Sequence, residues 1–158
     1  MSGKRIPKHN AVNLISALRI ASEARLKIRA VGVDDNGGAI HSVERILDIL
    51  GQRIKYPGLS HINKLKNYAK AEMSVAAFDQ IALGGKVEIE HVAQKRALSI
   101  SMLGFLESPR SDSEISSFVE TYYRLVLLTP TERKNLDRIN RTKLDSNRLV
   151  GIKMRIPN

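Results

Sequence analysis

Two short stretches limit the folds open to this chain: "KVEIEHV", residues 86–92, and "RLVLL", residues 124–128. In the first, Val87, Ile89 and His91 fall on one side and Glu88, Glu90 and Val92 on the other. A period of two specifies a strand. The second is a short, continuous apolar run and reads as another strand. Nearly everything else carries helical spacing and its punctuation. The expectation is an α+β fold, predominantly helical, with a small two-stranded element near 87–92 and 124–128. A helix over 130–141 follows the second strand directly, giving a ββα-like arrangement.

The helices are read from caps and periodicity. Asn10 is a candidate N-cap for a first helix in which Leu14, Leu18, Ala21 and Ala24 recur at helical spacing and Gly32 is the stop. "VDDNGGA" is a loop. "HSVERILDILG" is a short helix with Val43, Ile46, Leu47 and Leu50 on one face, closed by Gly51. Ser60 is expected to cap a helix over "HINKLKNYAKA", and Ser74 one over "VAAFDQIAL" that ends at Gly84-Gly85. "AQKRALSISMLGFLE" packs Leu98, Met102, Leu103 and Leu106. Ser111 with Glu114 has the form of a capping box opening "EISSFVETYY", and Thr129, Pro130 and Glu132 open the last helix. The tail "NRLVGIKMRIPN" forms a short strand or lies extended. The chain reads as a single domain over 1–158, with a helical part at 1–85, the ββα element with a helical insertion at 86–141 and a basic tail at 142–158.

Charge adds a functional constraint. The net charge is +10. Residues 1–30 hold seven Lys and Arg against one acid, residues 131–158 eight against three, and the middle is near balance at eleven against twelve. A field of this sign attracts polyanions, nucleic acid first among them. Candidate backbone contacts are Arg19, Arg25, Lys27 and Arg29 on the first helix, and Arg133, Lys134, Arg138, Arg141 and Lys143 near the other end. Aromatic residues are 4% of the chain and Trp is absent, so stacking of single-stranded bases has little to stand on. Phosphates are the expected contact, whether of DNA or RNA. Cysteine is absent, which removes disulfides and thiolate chemistry and agrees with a reducing, cytoplasmic setting. No apolar run is long enough for a transmembrane helix, so no membrane partner is expected. Nucleotide-binding and serine-hydrolase motifs are likewise absent.

The chemistry rests on the acid–histidine pair. Phosphodiester cleavage needs a water nucleophile, a base to deprotonate it and a cation to offset charge on the phosphate. A histidine suits the base, and a carboxylate suits a hard cation. Ile89-Glu90-His91-Val92, with Gln94 beyond, resembles the first strand of HNH-type, or His-Me finger, ββα-metal nucleases. "YRLVLLT" is similar to their second strand, and the likeness spans residues 86–141. It implies His91 as general base, Glu90 as a catalytic or metal-side carboxylate, and Asn135 or Asn140 completing a site for magnesium or another divalent cation. The chain departs from the pattern in having Ala93 near the usual proline, Arg124 where asparagine is common, and no histidine after His91.

The same residues support a plainer reading. His91 can be a partly buried strand histidine, with Glu90 facing Lys86 or Lys95. The protein is then a non-catalytic module that binds nucleic acid or a protein partner through its basic ends.

Overall fold

The computed structural model describes residues 10–136 and 142–156. It is α+β and predominantly helical. The elements run α1 (Ala11–Ala30), α2 (Ala39–Lys55), a 3-10 helix (Ile62–Asn67), β1 (Glu72–Met73), α3 (Val75–Ala82), β2 (Glu88–His91), α4 (Lys95–Phe105), α5 (Asp112–Tyr122), β3 (Leu125–Leu128) and α6 (Pro130–Lys134). The two strands expected from sequence pair antiparallel, Glu88 opposite Leu128 and His91 opposite Leu125. A third strand, not foreseen, joins them: β1 lies parallel to β3, giving the order β1-β3-β2.

β3 is apolar throughout because both of its faces are covered. Leu125 and Leu127 enter the main core, built from Leu14, Leu18, Val43, Leu47, Leu50, Met102, Ile115 and Val119 on the surrounding helices. Val126 and Leu128 face a smaller cluster with Leu136, Val92, Leu149, Ile152 and Met154. The tail therefore covers the far side of the sheet, and an antiparallel bridge pairs Ser74 with Met154. β2 partitions as its alternation requires: Val87 and Ile89 pack on the main core, and Val92 on the smaller one.

The caps at Asn10, Ser74, Ser111 and Thr129 all form, the last two as complete capping boxes. Three boundaries differ from expectation. The segment after Ser60 is a short 3-10 helix capped by the His61 side chain, not an α-helix. Ile62, Leu65 and Tyr68, three residues apart, pack on the main core while Ala69 is exposed, a spacing that suits three residues per turn. The last helix stops at Lys134 with Asn135 as its C-cap, short of the expected end at 141. Residues 137–141 lie outside the described residues.

The third difference is Gly51. It does not close α2, which continues to Lys55. It is buried in mid-helix because the Tyr123 ring lies directly against it, where a Cβ would collide with the ring. Gly51→Ala is therefore expected to destabilise by about 1–3 kcal/mol through overpacking, although alanine is the better helix former by about 1 kcal/mol. Urea unfolding tests this, and an unchanged or raised midpoint would show that the Tyr123 ring can retreat.

Candidate functional site

β2 is an edge strand, and a cleft of about 390 Å³ opens along it. Ile89, Glu90 and His91 form one wall. The 3-10 helix supplies Ile62 and Asn63, the start of α4 supplies Gln94 and Lys95, and α6 supplies Arg133. His91 and Arg133, far apart in sequence, thus reach one hollow because β2 and β3 pair and α6 leaves β3 at once.

The His91 side chain is 19% exposed. Its Nε2 lies 2.7 Å from Asp48 Oδ1 on α2. The Tyr123 hydroxyl donates to the same oxygen at 2.7 Å, and Lys95 Nζ lies 3.5 Å from Oδ2. Burial pushes the Asp48 carboxyl upward, but the hydrogen bonds from His91 and Tyr123 and the charges of His91 and Lys95 outweigh it. They hold Asp48 well below the usual carboxylate range. Burial, then the Asp48 charge, pushes the Tyr123 phenol far above its ordinary value; it stays a donor. An ionised Asp48 requires a proton on Nε2, so in a neutral imidazole Nδ1 carries the lone pair. Nδ1 has no hydrogen-bond partner among the described residues.

Glu90 is placed differently. It is 6% exposed. Arg133 Nε donates to its Oε2 at 2.8 Å, and Arg148 Nη2 to its Oε1 at 2.7 Å. The Arg148 side chain is itself only 3% exposed. It also donates to the His91 and Val92 carbonyls at 2.6 and 3.0 Å, tying the tail to the end of β2. Arg133 reaches Glu88 as well, at 3.2 Å. Hydrogen bonds to both carboxylates raise the affinity of its guanidinium for its proton.

Of the residues implied as metal ligands, Glu90 is engaged by arginines and Asn135 lies apart from it. Both Glu90 oxygens accept from guanidinium groups. Asn135 lines a separate cavity of about 420 Å³ with Glu132, Asp145, Asn147 and Arg148, and Asn140 lies outside the described residues. Among the described residues no group of three or more His, Asp or Glu side chains is placed to hold a metal ion. Glu132 acts as a cap, closing the Thr129 box and accepting from Ser74 Oγ.

The basic candidates divide. Arg19 pairs with Asp112 at 2.6 Å, and Arg25 lies 3.7 Å from the buried Asp35, which caps the Ile40 amide at 2.9 Å. Lys27, Arg29, Lys134 and Lys143 are exposed. Arg138 and Arg141 lie outside the described residues. Asp48 is the partner that sequence reading missed. It follows Glu44 by four positions on α2, and two acids at that spacing disfavour an isolated helix. The spacing was the available signal that cations come from elsewhere; Arg96 meets Glu44, and His91 and Lys95 meet Asp48.

Edge-strand cleft, half-buried histidine–aspartate pair and crossed Arg–Glu–Arg clasp define the class only as a predominantly helical α+β protein. No family model, curated protein or solved structure matches the chain. No helix among the described residues is long and apolar enough to cross a membrane.

Proposed function

We propose that this protein acts on nucleic acid, with a backbone phosphodiester seated in the β2 cleft and His91 as the base. The observation that carries the reading is the His91–Asp48 pair: an imidazole fixed at Nε2 by a carboxylate, with no partner at Nδ1 among the described residues, beside an open hollow. This is the arrangement of an oriented general base. In the reaction Nδ1 takes a proton from water, whose oxygen forms a bond to phosphorus. The bond from phosphorus to the leaving oxygen breaks, and that oxygen takes a proton from solvent. Asp48 stabilises the imidazolium through Nε2. Lys95, 49% exposed at the mouth of the cleft, offers charge to the phosphate. No step runs through a metal.

A second reading, a non-catalytic nucleic-acid-binding module, is favoured by Glu90. Its engagement with two arginines makes that half of the acid–histidine motif a structural fixture. One assay separates the two. Supercoiled plasmid and single-stranded RNA are incubated with the protein in EDTA, in magnesium and in manganese. Cleavage by the native chain and its loss in a folded His91→Ala variant support the catalytic reading. Intact substrate with a salt-sensitive gel shift leaves the binding module, and neither cleavage nor shift removes both.

A further inference from the structure

The linear charge map points to the ends of the chain, but folding redistributes it. Asp35, Glu88, Glu90 and Asp112, all in the balanced middle, are met by Arg25, Arg133, Arg148 and Arg19 from the basic ends. Within the middle, Glu44, Asp48, Glu72 and Glu114 are met by Arg96, Lys95, Arg124 and Arg110. Four arginines of the basic ends thus neutralise central acids, and three central lysines join the exposed cations. Lys64, Lys66 and Lys70 are exposed and make no ion pair among the described residues.

These lysines lie on and just after the 3-10 helix that forms one wall of the His91 cleft. Such a helix repeats every three residues with a rise of about 2 Å each, so Lys66 stands on the face of Asn63, about 6 Å further along. Asn63 lines the cleft. Leu65, fully buried, anchors the segment from beneath, which fixes where the lysines emerge.

We propose that the 3-10 helix is the nucleic-acid grip of this protein, with Lys64 and Lys66 contacting backbone phosphates on the strand that enters the His91 cleft. This rests on the nucleic-acid reading above and assigns it a surface. Arg19 and Arg25, held by Asp112 and Asp35, take no part in that grip.

The test is the salt dependence of binding, measured by fluorescence anisotropy with a short labelled DNA duplex and with a single-stranded RNA of the same sequence. Each phosphate contact contributes about 0.7–0.9 to the slope of log affinity against log salt. Lys64→Ala with Lys66→Ala is expected to lower the slope by about 1.4–1.8 for the strand type that the cleft accepts. Lys27→Ala with Arg29→Ala removes the same formal charge from exposed positions of α1 and is expected to change it by less than half as much. The proposal is overturned if the two pairs behave alike, or if the slope survives loss of Lys64 and Lys66. Native binding with an unaltered slope sinks the grip alone. Absence of native binding at low salt sinks the nucleic-acid reading and the grip with it.

Discussion

Glu90→Ala is expected to cost the fold about 3–5 kcal/mol, the range for breaking a buried ion pair by removal of one partner. The reason lies in what is left behind. Arg148 is 3% exposed at its side chain, so its guanidinium would keep its charge with only the His91 and Val92 carbonyls, among the described residues, in reach of Nη1. Its Nε already lacks a partner among the described residues, and loss of Glu90 would orphan Nη2 as well. Arg133, 38% exposed, can turn to water and contributes little to the loss. Urea unfolding of Glu90→Ala against native protein measures the effect. Glu90→Ala with Arg148→Met should recover a substantial part of it, because an apolar pair removes the stranded charge. A loss below about 1 kcal/mol would mean that solvent reaches Arg148.

Asp48→Asn is expected to lower any His91-dependent cleavage by about 10²–10⁴, the range for general acid–base catalysis. The amide preserves shape, but its nitrogen can donate to Nε2 and its oxygen stabilises an imidazolium poorly. The tautomer with the lone pair on Nδ1 loses its advantage. The substitution should also flatten the acid limb of the stability curve. Asp48 titrates in the folded chain below the ordinary aspartate value of 3.8, so its contribution is complete above that value and is lost as pH falls toward the lowered one. Asp48→Asn lacks that component, and the native and variant curves should converge toward low pH. Heteronuclear NMR of the His91 ring nitrogens reads the tautomer independently of activity. An unchanged tautomer in Asp48→Asn, with undiminished cleavage, would remove Asp48 from the positioning role.

The strands were legible because their signals are local. Period two in residues 87–92 and the apolar run at 125–128 each state a strand without reference to the rest of the chain, and the capping boxes at Ser111 and Thr129 are equally self-contained. β1 was not legible: two residues carry no period, and Glu72 and Met73 are a strand only because Val126 and Leu127 lie beside them. Gly51 looks like a stop because glycine usually punctuates, whereas the Tyr123 ring, 72 positions later, demands the missing side chain. Of the site, His91 was found through its neighbours in sequence. Asp48 was not, since 43 positions separate the pair and nothing short of the fold places α2 behind β2. The adjacency of Glu90 and His91 suggested shared chemistry, yet consecutive strand residues point to opposite faces. One meets the tail and the other meets α2.

The Arg148–Glu90 contact has a consequence for how the chain matures during synthesis. β3, the centre of the sheet, must wait for β1 and β2 already made, and the charge on Glu90 stays uncompensated by Arg148 until position 148 has cleared the ribosomal tunnel. A nascent chain released early would hold its helices while the far side of the sheet stood bare. Val126 and Leu128 would then face water, a surface that invites chaperones or self-association.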